Sequence, residues 1–426
     1  MPLTEQLLDL IDRRAVNADD LRAAALFTLD AVANALAGRQ AGPGEILRAW
    51  AAGNGADAGR QAFLQGALTH ILETDDLHRS SVVHPGCVVV PAAFAIGARE
   101  AKGGKAVLRA ILKGFDACCR VGMAVGPTHY RVWHNTATCG PYGSAVAAAD
   151  LLGLDRTAAV HALGNAGTQS AGLWEFLATG AMSKHLHAGR AAEAGVVAAD
   201  LARLGFTGPP EILEGPKGFF AAACPDADPA AVLRNPDAPW QLRLTSIKPW
   251  PSCRHTHPVI DAALGLHREI GNRAIQGVRL ETYQAALDVC DRPQANTEYE
   301  AKFSLQHCVA AALTDGRVDF SSFEAAARRR LAPLAARIGV AAAEPFAAAY
   351  PKAWGGRLEL ALDDGATLEA ARRHAKGDPE AALDEAEMIA KAKMLLRFGG
   401  IDRPETIVEA VLALAEDAPL PKLLFN

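Results

Sequence analysis

The sequence predicts a mainly α protein with an α+β part: a large all-helical domain built from both chain ends, plus a smaller α+β lid domain. Three observations carry this. Apolar residues recur at helical spacing through residues 1–240, amid abundant alanine, the strongest helix former. Between residues 241 and 383 short alternating segments appear, two of them flanking Asp363-Asp364-Gly365; Asp-Gly between alternating arms marks a hairpin. From residue 384 the helical spacing returns, so the domains are drawn as residues 1–240 with 384–426, and residues 241–383. At 426 residues, 50% hydrophobic and 21% charged, the chain is large enough to bury two cores.

Taken in order, Thr4–Val16 and Asn17–Ala37 read as helices, the second capped by Asn17-Ala-Asp-Asp20 and stopped by Gly38. A short helix over residues 44–53 follows, then a small-residue loop over Gly53–Gly59, then a helix over Gln61–Leu72. Two helices are expected between Pro91 and Gly126, broken at Gly103-Gly104. Trp133–Pro141 reads as a polar loop before a helix over Gly143–Leu152. Thr157–Ala178 and Lys184–Leu204 read as helices, and no strand is expected before residue 240. Leu242–Ile247 and Val278–Ala285 read as strands on either side of a Pro258–Ile270 helix. Arg357–Ala371 is the predicted hairpin, and the last apolar helical face is Ile407–Leu414, on a tail expected to return to the first domain.

Composition excludes several functions. A net charge of −5 and a pI near 6.2 leave no concentrated positive charge for a nucleic acid. No apolar run reaches the ~18 residues of a membrane span, and the N-terminus lacks the basic-then-apolar pattern of a signal peptide, so a cytoplasmic protein is expected. The eight cysteines form no CxxC, which argues against structural zinc and for reduced thiols.

Four segments concentrate chemistry. His70 to His84 holds Glu73, Asp75, Asp76, His78, Arg79 and His84 between apolar sequence on both sides. Clustered carboxylates and imidazoles push one another's pKa values apart, as general acid/base work requires. Asp75 and Asp76 could instead cap a helix, and Asp75, His78 and His84 could bind a metal, although their spacing matches no known metal motif. The second segment, His134-Asn135-Thr136-Ala-Thr138, places donors before a helix where an anion could bind; a core histidine beside an N-cap is the plain alternative. The third sets Lys184 on one helix face with His187 and Arg190, beside His185; a buried cation there needs an anion, either a ligand carboxylate or Glu175. In the fourth, Lys248-Pro-Trp-Pro-Ser-Cys253-Arg254-His255-Thr-His257-Pro258, prolines fix an irregular backbone carrying several basic groups, suited to a polycarboxylate or simply to joining domains.

The segments HPGCVVVPAA, HNTATCGPYGSA, SKHLHAGRAAEAG with LGFTGPPEILEG, and KPWPSCRHTHP with EAKFSLQH resemble, in order, those of the MmgE/PrpD family. That family includes 2-methylcitrate dehydratase, cis-aconitate decarboxylase and iminodisuccinate epimerase. The resemblance implies a homodimer acting on a small polycarboxylate at a site between its domains, with no metal or organic cofactor. It places the acidic cluster on Glu73, Asp75 and Asp76, the two histidines on His84 and His134, and the pocket lysines on Lys184 and Lys248. His78, Arg254, His255 and His307 complete the expected substrate contacts. Leu77 stands where the family has threonine, so Ser80 or Thr74 would have to supply that hydroxyl. Cys253 stands where the decarboxylases have histidine and His307 where they have tyrosine, which points away from cis-aconitate decarboxylation. The expected chemistry is proton abstraction next to a carboxylate by a hydro-lyase, with epimerisation second. A metal-dependent hydrolase using Asp75, Asp76, His78 and His84, and a non-catalytic helical interaction protein, are the unrelated alternatives.

Overall fold

Side-chain caps set many of the helix starts in the computed structural model, which describes residues 1–53 and 57–422. Asn17 accepts the Asp20 N–H while Asp20 accepts the Asn17 N–H, opening Ala18–Gly38. Asp57 and Asp155 cap Ala58–Thr69 and Arg156–Gly167 with a single accepted N–H, and Asp384 with Glu387 repeats the reciprocal pair at Glu385–Phe398. Residues 54–56, inside the expected Gly53–Gly59 loop, lie outside the described residues.

Contacts divide the chain into two units, residues 1–246 with 384–426 and residues 247–383. In the first, Ser183–Arg203 packs on Asn135–Leu152 and Ala58–Thr69. The approach is close because the facing residues are small: a Cβ on Gly195 would fall 2.2 Å from the Ala145 nitrogen. Ala18–Gly38 is long and apolar enough to cross a membrane by length and composition, yet 72% of that window is buried in the fold. Burial of Asp20, Asp30 and Asn34 on it marks a core helix. The returning Glu385–Phe398 helix packs against it.

Several helix boundaries differ from the expected ones. Gly86–Arg99 and Asn135–Leu152 run through Pro91 and Pro141, so both begin earlier than proline alone predicts. Each proline forfeits one intrahelical bond, and nearly all its neighbours are buried apolar or small residues whose burial outweighs that loss. The expected Thr157–Ala178 helix ends at Gly167, and Trp174–Ala178 is a separate 3-10 turn after Gly172, whose φ is 134°. Leu242–Ile247 is not a strand. Gln241–Leu244 forms a 3-10 turn whose first N–H is taken by Asp116 at 2.8 Å, and Ser246 then makes one isolated bridge with Leu77. Those ties hold residues 241–246 in the first unit.

The second unit is built on a four-stranded mixed sheet. The strands are β1 (Ile275–Thr282), β2 (Ile338–Ala342), β3 (Gly356–Leu362) and β4 (Thr367–Arg372), in spatial order β2-β1-β3-β4. β1 and β2 are parallel with Val278 opposite Ile338, while β3 lies antiparallel to β1 with Leu358 opposite Leu280. β3 and β4 form the Asp-Gly hairpin. The helices His257–Ile270 and Leu305–Asp315 bury Ile260, Leu266, Leu305 and Val309 with Leu280, Leu358 and Leu360 in one core. β2 was not expected; Ile-Gly-Val-Ala-Ala offers only two β-branched residues in five.

Candidate active site

The Ala58–Thr69 helix ends at His70, and the chain then turns through Glu73 to Asp76 before the Gly86–Arg99 helix begins. Glu73, Asp75, Asp76, His78 and His84 are all buried, so the segment is no solvated loop. Asp76 faces the coming helix: both its oxygens accept the Gly86 N–H, at 3.0 and 3.1 Å. Burial first, then the nearby Asp75 and Asp30 charges, hold its carboxyl well above the usual range. Asp75 points the other way. Its Oδ2 lies 2.5 Å from His70 Nδ1 and 3.2 Å from His84 Nδ1, so one oxygen serves two imidazoles.

A second segment closes over this pair. Thr136 Oγ1 accepts the His84 N–H at 3.0 Å, and the Asn135 amide donates to the Ser81 carbonyl at 2.7 Å. His134, which precedes the Asn135–Leu152 helix, stacks on His70 with centroids 5.6 Å apart and lies 3.3 Å from His187, nitrogen to nitrogen. Its Nε2 is buried with no hydrogen-bond partner among the described residues. Burial, reinforced by His70, Lys184, His84 and His187, pushes the His134 pKa well below 6.5. His134 also packs on Trp174, with ring centroids 4.7 Å apart.

Lys184 opens the Ser183–Arg203 helix and pairs with Glu73, not with the expected Glu175. Glu73 is held at φ 61°, a left-handed conformation costing a non-glycine residue about 1–2 kcal/mol. Beside this cluster lies a cavity of about 700 Å³ in the first unit, bounded by Trp133, Phe176, Leu186, His187 and Arg190.

The remaining predicted residues are placed differently. His78 Nδ1 bonds to Ser81 Oγ at 2.8 Å, and its backbone N–H to the Val83 carbonyl, so it braces its own turn. The Thr74 hydroxyl donates to Asn34 Oδ1 and is fully buried, so it is already committed; Ser80 is exposed. In the second unit Lys248 is 2% exposed. Arg254 pairs with Asp378, and His255 bonds to the Tyr283 hydroxyl at 2.7 Å while stacking on Trp354. His307 Nε2 contacts the Ser322 carbonyl at 2.8 Å. Arg254, His255 and His307 thus each contact a group of their own unit.

Sequence reasoning assigned no role to His70, although it begins the charged stretch. Its place at the end of an apolar helix hides it; the signal was its spacing, five residues before Asp75. The ligand atoms of His70, Asp75 and His84 also lie within 4.8 Å of one another, a set that a divalent cation could use.

Residues 11–231 match the MmgE/PrpD N-terminal domain and residues 250–416 the MmgE/PrpD C-terminal domain. Among curated proteins, the cis-aconitate decarboxylase of Homo sapiens is 28% identical over 282 residues, 62% of this chain and 56% of that protein. The Mus musculus protein of the same name is 28% identical over 283 residues, again 62% and 56%. That of Aspergillus terreus is 26% identical over 337 residues, 72% of this chain and 68% of that protein. The chain thus spans little more than half the length of the two mammalian relatives.

Proposed function

The chain belongs to the MmgE/PrpD family, since the two domain matches together take in most of it, and from that premise we propose that it is an acid/base enzyme acting on a small di- or tricarboxylate. The observation that carries this is the shared Asp75 oxygen, with His84 on one side and the His134–Lys184 group beside it. His84 Nδ1 lies 3.2 Å from that carboxylate, and a proton held between them on substrate binding would leave Nε2 as the lone-pair nitrogen that takes a proton from carbon. The electron pair left behind delocalises into the neighbouring carboxylate, which Lys184 stabilises. In the hydro-lyase reading that pair then forms the alkene as hydroxide departs, and His134 delivers the proton that makes it water. His134 is neutral in a cluster of cations and imidazoles, and a bound polycarboxylate would raise its pKa into the useful range.

Glu73 stands in for the substrate in this scheme. Its carboxylate holds Lys184 in the absence of substrate, and a substrate carboxylate would replace it there. Lys248, Arg254, His255 and His307 are proposed for the remaining carboxylates on the strength of their sequence segments. Leu77 is buried, and with Thr74 committed to Asn34 the family's hydroxyl at this point is lacking, which favours a substrate other than cis-aconitate.

The test is a panel of polycarboxylates in deuterated water followed by NMR. New alkene signals support dehydration, exchange without net product means epimerisation, and loss of carbon dioxide means decarboxylation, the reading favoured by the relatives' names. His84→Ala and Lys184→Ala should each lose ~10² to 10⁴ in turnover with folding intact; near-normal turnover in both removes the assignment. The cation-sized group of His70, Asp75 and His84 supports metal chemistry as a second reading, which activity surviving exhaustive chelation would eliminate.

A further inference from the structure

His70 is the most completely enclosed group of the cluster. It is 0% exposed, and it touches three of the residues to which the acid/base reading assigns work. Its Nδ1 makes the shorter of the two contacts at Asp75 Oδ2, 2.5 against 3.2 Å for His84. Its ring meets the His84 ring edge-on at 4.7 Å and stacks on His134 at 18° between planes. Its carbonyl oxygen faces His185 Nδ1 at 3.2 Å, so the backbone at this point is fastened to the helix that carries Lys184.

Burial outweighs the Asp75 charge and lowers the His70 pKa to about 4, so the ring is neutral near pH 7. A neutral imidazole whose Nδ1 faces a carboxylate oxygen carries its proton on that nitrogen and is a donor there. His70 is 0% exposed, so its remaining nitrogen, Nε2, is closed to a substrate. The ring is a fixed donor on the oxygen that His84 also uses.

We propose that His70 is a positioning residue for the reaction: its Nδ1–H holds Asp75 in the rotamer that receives His84 Nδ1, and its ring sets the spacing between His84 and His134. This rests on the acid/base reading for its consequence, although the geometry it describes exists without substrate. Loss of the donor lets the Asp75 carboxylate turn, and His84 then exchanges between its two neutral tautomers. Part of the His84 population would then present a proton where the substrate needs a lone pair, and the orientation of the rest would be lost. The plain alternative is a core histidine that merely ends the Ala58–Thr69 helix.

Three substitutions separate these. His70→Leu keeps most of the volume and removes the donor. His70→Gln keeps polarity but sets its amide near the former Nε2, out of reach of Asp75. His70→Asn places an amide N–H near the former Nδ1. The first readout is imidazole nitrogen NMR on the protein without substrate: His84 should be held in the Nδ1–H form in the parent and in His70→Asn, and should show mixed tautomers in His70→Leu and His70→Gln. The second is turnover on the polycarboxylate found active. His70→Leu and His70→Gln should lose about 10- to 100-fold in kcat with KM within about threefold, the usual scale for an outer partner of an oriented imidazole, and His70→Asn should regain at least about tenfold. Unchanged His84 signals in His70→Gln overturn the proposal, as does a His70→Asn no better than His70→Gln. Should His84→Ala and Lys184→Ala keep full turnover, the acid/base reading fails, while the NMR result still decides what His70 does to His84.

Discussion

Buried imidazoles give this protein a readable pH signature. His70 and His78 are fully enclosed and His255 half-buried, and burial lowers each pKa to about 4, against 6.5 when the chain is unfolded. Between about pH 4 and 6.5 these groups are neutral in the folded state and largely protonated in the unfolded one, so unfolding takes up protons. Stability then rises with pH across that window, by about 1.4 kcal/mol per unit for each group. Asp76 works in the opposite sense. Its raised pKa keeps a proton in the folded state that the unfolded state has lost, so its contribution is present at low pH and falls as pH rises. His185 and His187 are lowered to about 4 as well, and five such histidines against the Asp76 carboxyl leave a net positive slope. Urea titrations from about pH 4.5 to 6.5 should show it, and His78→Gln should flatten it by about one proton; an unaltered slope would mean that the buried His78 is protonated. The sequence made His78 a substrate contact because it lies in the charged stretch, but spacing cannot say which way a side chain turns once Ser81 is within reach.

Helix ends explain why adjacent carboxylates do different work. Asp76 accepts the first N–H of Gly86–Arg99, whereas Asp75 is turned toward two imidazoles. Sequence alone left capping and acid/base chemistry open for both residues, and in the structure the two face different partners. Asp76→Ala should cost about 1–2 kcal/mol of unfolding free energy, the usual price of a lost N-cap, and Asp76→Asn, which keeps an acceptor, less than half of that. Asp75→Asn should show itself in turnover, by ~10² or more, with a smaller change in unfolding. Equal behaviour of Asp76→Ala and Asp75→Asn in both assays would refute this division of work. The same physics shows which elements were legible. Asn17, Asp57, Asp155 and Asp384 announce helices because a cap is a local event, written in adjacent residues. Pro91 and Pro141 concealed the starts of two expected helices because what overrides proline is burial by distant segments. Leu242–Ile247 was read as a strand because the Gln241–Leu244 turn found there is held by Asp116, more than a hundred residues away.

The discontinuity of the first unit reaches into the site. Lys391, on the returning Glu385–Phe398 helix, is 6% exposed and donates to the Thr74 carbonyl at 2.6 Å while pairing with Asp30 at 2.5 Å. Thr74 lies between Glu73 and Asp75, so a residue from the last tenth of the chain holds the backbone that presents both carboxylates. The motifs made the family legible, and the returning apolar helix was readable from its spacing. The link from Lys391 to Thr74 was not, because a lysine on an amphipathic helix normally extends to water. Its burial with a partner changes what its removal should do. Lys391→Met keeps the stem and deletes the charge, leaving Asp30 without one of its cations and the Thr74 carbonyl without a donor. Breaking a buried pair in this way costs about 3–5 kcal/mol. If the tail served packing alone, turnover per folded molecule would be unchanged. If it holds the acidic turn, kcat should fall at least about tenfold at a temperature where the variant is fully folded, with no substituted atom in the cluster itself. Deuterium exchange of the polycarboxylate, normalised to folded protein by circular dichroism, separates the two, and an undiminished rate would confine Lys391 to stability.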